Sequence, residues 1–188
     1  MTTKTPPQSG QASALRMARL AGVFYVLNTF TSLYAFLCPQ RPFSFASGQI
    51  AIVAYIVVTI LFYFLFKPVN RFISLFAALF SMAGNIMGIL GSFHLVDFKI
   101  NLLVFFGFYC ALIGYLILRS NFLPRILGAL MVLAGLGYLT FLWPSLGASL
   151  TPYNYLPGAL GEWTLTVWLL IKGVNQQRWD EQAAAARN

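Results

Sequence analysis

The chain has 188 residues, 59% of them hydrophobic and only 9% charged, with a mean hydropathy of +0.76. A soluble domain carries about a quarter of its residues as charges, so this apolar excess excludes an ordinary water-facing globule and points to the lipid bilayer as the chain's main partner. The net charge of +8, from 12 Lys+Arg against 4 Asp+Glu, would suit nucleic acid on a soluble fold, but the cations sit at the ends of apolar runs and form no single basic face.

In chain order, residues 1–13 are polar and read as a disordered cytoplasmic tail. Six apolar segments follow: Leu15–Leu37, Gln49–Phe66, Phe72–Leu90, Leu102–Leu118, Ile126–Trp143 and Leu156–Ile171. Each is close to the ~17–25 residues with which a helix crosses a bilayer. The first is longer than the ~7–15 residues of a signal-peptide core, so it is expected to be retained as a helix. The sixth is interrupted near its start by Pro157, Gly158, Gly161 and Glu162; a proline in the first helical turn removes an N–H that has no partner anyway. The predicted fold is an all-α, six-span bundle over residues 14–174. Residues 175–188 form a cytoplasmic tail, and Ala183–Ala186 give it the propensity to prolong the sixth helix.

Orientation follows from counting cations. With the N-terminus inside, Lys4, Arg16, Arg19, Lys67, Arg71, Arg119, Arg125, Lys172, Arg178 and Arg187 are cytoplasmic, and only Arg41 and Lys99 are outside. Ten against two is the positive-inside pattern. It puts both termini in the cytoplasm, which requires an even number of spans. Tyr34, Tyr55, Trp143, Tyr153, Tyr155 and Trp163 fall near the outer boundary, where amphipathic rings settle.

Small residues recur at helical spacing. The third segment has Ala77, Ser81, Gly84, Gly88 and Gly91, the fourth Gly107, Cys110, Ala111 and Gly114, the fifth Gly128 and Gly135. In lipid such stripes let backbones approach closely. They read as packing within the bundle, with the Gly84/Gly88 stripe also offering a seam for a homodimer or a membrane partner.

The second half carries a resemblance. Phe105-Phe106-Gly107-Phe108-Tyr109-Cys110, Gly114-Tyr115-Leu116-Ile117-Leu118-Arg119-Ser120, Phe122-Leu123-Pro124-Arg125-Ile126-Leu127-Gly128, Ala134-Gly135-Leu136-Gly137-Tyr138-Leu139 and Gly161-Glu162-Trp163 occur in order. Together they resemble a bacterial six-helix integral membrane family described as a domain of unknown function (DUF4386). The resemblance implies the fold and a location in a bacterial cytoplasmic membrane, and no activity. Many members have a His where this chain has Tyr109, an Arg near Phe80 or Ser81, and an acid in the second helix, which is uncharged here.

An ionisable residue within a span is expensive to hold and is a functional-site hypothesis by default. Glu162 is the one such residue, about 8 Å below a helix start at Pro157 at 1.5 Å per residue. Tyr25, Asn28 and Ser32 share a face of the first segment, Asn85 lies in the outer half of the third, and His94 and Asp97 occupy the second outer loop. Converging with Glu162, they would line a polar pocket open to the exterior. The plainer reading pairs Glu162 with Lys99, Arg41 or a tyrosine hydroxyl, and leaves Asn28 and Asn85 to interhelical hydrogen bonds of ~0.6 kcal/mol each. Tyr109 and Cys110 read as packing, and Cys38 and Cys110 are placed too differently for a disulfide.

Enzyme signatures are lacking. A single histidine cannot make a His-x-x-x-His zinc pair, and neither a Gly-x-Ser-x-Gly elbow nor a phosphate-binding glycine loop occurs. The expectation is a non-enzymatic protein without metal or cofactor that binds or carries a small apolar or lipid-like ligand. The alternative is a structural or regulatory membrane subunit acting through helix–helix contacts.

Overall fold

A computed structural model describes residues 11–96 and 100–187. Among these the chain is all helical and turn: α1 (Gln11–Leu37), α2 (Ser44–Phe66), α3 (Arg71–Ser92), α4 (Leu103–Arg119), α5 (Arg125–Leu139), a short α6 (Pro144–Leu150), α7 (Leu156–Ile171) and α8 (Gln176–Ala185). Four stretches, Ala14–Leu37, Ser44–Phe66, Arg71–Ser92 and Arg125–Leu142, are long and apolar enough to cross a membrane, and α4 is a shorter apolar helix of 17 residues. The stretch read as an N-terminal tail is cut short, because α1 already begins at Gln11; residues 1–10 lie outside the described residues.

The helices stop where local chemistry stops them. Asn70 has an extended backbone and its side chain accepts the Ile73 N–H at 3.0 Å, capping α3. Ser120 and Pro124 are extended, so α4 and α5 are separated by a tight turn. Gly173, at φ +66°, ends α7 in a left-handed conformation that glycine adopts at no steric cost.

Six long helices close into a ring in chain order. α1 packs on α2, α2 on α3, α3 on α4, α4 on α5, α5 on α7, and α7 returns to α1. The ring interior is filled with large side chains, among them Tyr25, Phe62, Phe66, Tyr109, Ile113, Leu116, Met131, Leu165 and Leu169, all fully buried. Apolar side chains also cover the outside: Phe30, Phe36, Val53, Phe72, Phe76, Leu133, Leu136 and Ile171 are exposed. A bundle that is apolar inside and out is suited to lipid. Hydroxyls within the helices satisfy themselves by donating back one turn, as Thr59 does to the Tyr55 carbonyl and Thr166 to that of Glu162.

The tightest seam is α4 against α5. A Cβ on Gly114 would lie 2.7 Å from the Gly128 carbonyl oxygen, and one on Gly135 would lie 2.6 Å from that of Gly107. These glycines, expected as packing positions, pair reciprocally one turn-pair apart. Gly84 abuts Phe105 and Phe106 of α4, while Gly88 has only ordinary contacts with Ile52 and Leu102. Of the α3 stripe expected to offer a homodimer seam, Gly84 is thus filled from within the chain, whereas a Cβ on Gly91 would meet nothing within 4 Å.

Two further expectations are corrected. Residues after Gly173 do not prolong α7, because the left-handed turn reverses the chain into a separate helix, α8, capped by Asn175 accepting the Arg178 N–H at 3.1 Å. α8 lies across one end of the bundle: Trp179 Nε1 donates to the Leu65 carbonyl at 2.9 Å, Gln182 Oε1 accepts the Asn121 N–H at 3.2 Å, and Gln176 Oε1 accepts the Leu15 N–H at 3.0 Å. This end carries Arg16, Arg19, Lys67, Arg71, Arg119, Arg125, Lys172 and Arg178, and is called the basic end below. The second correction is Tyr55, read as a boundary ring. It is buried and packs edge-on against Tyr25, Phe106 and Tyr109.

Candidate functional site

The site lies toward the end opposite the basic one. Gly161 seats α7 against the Leu130 carbonyl of α5, where a Cβ would come within 2.7 Å, and Glu162 follows on the face turned to the bundle. Cys110 Sγ donates to Glu162 Oε1 at 3.5 Å, and the Tyr138 hydroxyl lies within reach of the same carboxyl group. Neither partner is charged.

A recess of about 340 Å³ opens here, lined by Asn28, Ser32, Ala51, Tyr55, Asn85, Phe106, Tyr138 and Glu162 among others. A second recess of about 390 Å³ shares Asn28, Ser32, Tyr138 and Glu162 and reaches Phe36, Tyr155 and Trp163. Glu162 and Tyr138 therefore border both recesses, one toward the ring interior and one between α1 and α7. Among the described residues, no Lys or Arg lines either recess. The walls are apolar and aromatic, with a few convergent polar atoms, which is the usual make-up of a small-ligand site.

Each predicted residue has a definite place. Asn28 is half-buried, its Nδ2 donating to the Ala51 carbonyl at 3.0 Å, so it also ties α1 to α2. Asn85 is buried, with Nδ2 donating to the Ser81 carbonyl at 2.7 Å, and Ser81 in turn meets Thr59 at 2.6 Å. Ser32 is exposed on the rim and donates to the Thr29 carbonyl. Tyr25 lines neither recess; it is buried behind Tyr55, the two hydroxyls 3.4 Å apart. His94 is exposed just beyond α3, lining neither recess, and Asp97 lies outside the described residues. The polar cluster is smaller than the sequence reading has it.

Three contributors escaped that reading: Tyr55, Tyr138 and Cys110. Tyr138 and Cys110 sit in apolar runs and look like packing, and Tyr55 reads as a boundary ring. Only Glu162, as a charge in such a run, carries a signal that could have pointed to them, and only the ring closure shows which residues it meets. Tyr109, beside Tyr55, is fully buried and its hydroxyl has no hydrogen-bond partner among the described residues. Cys38 and Cys110 are both free thiols.

Residues 98–173 match the model of the family described as Domain of unknown function (DUF4386). An uncharacterized protein of Archaeoglobus fulgidus (strain ATCC 49558 / DSM 4304 / JCM 9628 / NBRC 100126 / VC-16) is 28% identical over 152 residues, spanning 73% of this chain and 90% of the relative. No solved structure matches the chain. The matched stretch runs through α4, α5 and α7, so it contains Cys110, Tyr138 and Glu162, whereas Asn28, Tyr55 and Asn85 precede it. Over residues 98–173 the chain thus bears the DUF4386 pattern that its glycine-seamed hairpin resembles.

Proposed function

We propose that this chain is a six-span protein of a bacterial cytoplasmic membrane, with both termini in the cytoplasm, that binds or carries a small apolar or lipid-like ligand with a polar head. The observation behind this is the pair of recesses that both border Glu162 and Tyr138, one toward the ring interior and one between α1 and α7. The aromatic chamber suits an apolar body, and Glu162, Tyr138 and Asn28 suit a polar head. The orientation rests on the clustering of cations at one end. The six-span count takes α4 and α7, of 17 and 16 residues and so about 24–26 Å long, as spans under slight local thinning. We read the protein as a binder or carrier and not as an enzyme. The alternative of a structural or regulatory subunit has less support, since Gly84 and Gly88 face Phe105, Phe106, Ile52 and Leu102 of the same chain.

The test is Glu162→Gln in purified protein. Gln keeps the shape and an oxygen for Cys110, so loss of a co-purifying small amphiphile with an intact fold is the expected result. Unchanged ligand content together with an unchanged melting temperature would sink the reading.

A further inference from the structure

The other end of α7 has a site of different chemistry. A cavity of about 340 Å³ opens between the α4–α5 turn, the end of α7 and the start of α8, with Lys172 and Arg178 on its walls beside Trp168. A groove of about 420 Å³ runs along α7, lined by Trp163, Val167, Trp168, Ile171 and Lys172. Trp168 and Lys172 line both, so the groove and the cavity adjoin at these two side chains. From Trp163 to Lys172 is nine residues, about 14 Å of helix.

The two ends differ in kind. The groove is apolar and exposed on the outer face of the ring. The cavity gathers two cations, and among the described residues no carboxylate lines either space. Among the described residues the Arg178 guanidinium makes one hydrogen bond, Nη1 donating to the Asn121 carbonyl at 3.3 Å, which leaves most of its five donors unused there. Gly173 is what brings the cations together: its left-handed turn ends α7 and reverses the chain, so Lys172 and Arg178 flank one opening.

We propose that this composite site holds an anionic glycerophospholipid, with its phosphate between Lys172 and Arg178 and one acyl chain along the groove beneath Trp163, Val167 and Ile171. Basic pockets at the end of apolar helices suit such head groups, and the amphipathic Trp168 ring sits at the junction of chain and head. The proposal rests on the membrane location of the chain; its cations, Lys172 and Arg178, line neither recess at Glu162, although Trp163 borders both the groove and the opening between α1 and α7.

The test uses the full chain in neutral detergent and follows tryptophan quenching by brominated phosphatidylglycerol and brominated phosphatidylcholine. Each cation near an anionic head group contributes about fivefold in affinity. Native protein should therefore prefer the anionic lipid by about 25-fold, Lys172→Gln by about fivefold, and the Lys172→Gln/Arg178→Gln pair not at all. Equal quenching by both lipids in the native protein, or an undiminished preference in Lys172→Gln, overturns the proposal. Lys172 is exposed, so that single variant decides even if the double one does not fold. Millimolar inorganic phosphate should leave the preference in place; if it abolishes the preference, the site is one for free anions and the lipid assignment fails.

Discussion

Gly114 and Gly88 show how differently two glycines in apolar helices can matter. A Cβ at Gly114 would lie 2.6 Å from the Val132 nitrogen and 2.7 Å from the Gly128 oxygen, both backbone atoms that cannot yield without moving α5. Gly114→Ala should therefore lower stability by about 1–3 kcal/mol, the ordinary cost of overpacking, read as a drop in melting temperature in detergent. At Gly88 the nearest atom would be 3.7 Å away, the end of the Ile52 side chain. There Gly88→Ala should be neutral or stabilise by up to about 1 kcal/mol, since alanine is the better helix former. Equal effects of the two substitutions would refute this account of the α4–α5 seam. Tyr109 offers the complementary case. Among the described residues its buried hydroxyl has no well-formed hydrogen bond, since Thr59, which is within reach, is already engaged with Tyr55 and Ser81. An unsatisfied buried polar group costs about 1–3 kcal/mol. Tyr109→Phe should leave the melting temperature unchanged or raise it; a clear fall would mean that the hydroxyl is bonded after all.

At the scale of the element, α8 is the informative one. Its composition is polar, with Arg178, Asp180 and Glu181 in a ten-residue helix, and a helix so short has little stability alone. It is held by contacts with three other parts of the chain: Leu15 at the start of α1, Leu65 near the end of α2, and Asn121 in the α4–α5 turn. The turn that aims it depends on Gly173. Any side chain there must adopt φ +66° and would also collide with Leu15, and a left-handed backbone costs an L-residue roughly 1–2 kcal/mol. Gly173→Ala should accordingly speed amide hydrogen exchange throughout α8 while leaving α2 and α4 protected. Asn175→Ala, which removes the cap, should act in the same direction with a cost of about 1 kcal/mol. Exchange in α8 that ignores both changes would show that its docking does not depend on this turn.

For the molecule as a whole, the ring order α1–α2–α3–α4–α5–α7 has a topological consequence. Six antiparallel neighbours put the α4–α5 turn with α8 at one end and α6 at the other. With Cys38 and Cys110 replaced by Ala, a cysteine at Asn121 should react with an impermeant maleimide only after the cells are opened, and one at Ser149 should react in intact cells. Both positions are exposed, so failure to react cannot be blamed on burial, and the opposite pattern would invert the proposed orientation. The recesses at Glu162 and at Lys172 also belong to this scale. Each is assembled from helices distant in sequence, and each disappears if α7 does not close the ring against α1 and α5.

The amino-acid sequence by itself determined that the chain is helical and suited to lipid, and roughly where its long helices lie. The reason is that a backbone in hydrocarbon must satisfy its hydrogen bonds within each segment, so length and hydropathy suffice to find them. It also marked Glu162, because a lone charge in an apolar run is visible without any partner. Only the tertiary structure decided who meets whom: that Gly107 and Gly114 press on Gly135 and Gly128, that Gly84 faces inward, and that Tyr55 is buried at the recess and not at a boundary. It also decided that α8 folds back under the bundle. In lipid nearly every face of these helices is apolar, so hydrophobic periodicity no longer separates inside from outside. The choice of partner then falls to close backbone approach and to a few hydrogen bonds across the ring, which depend on geometry between segments that no local pattern encodes.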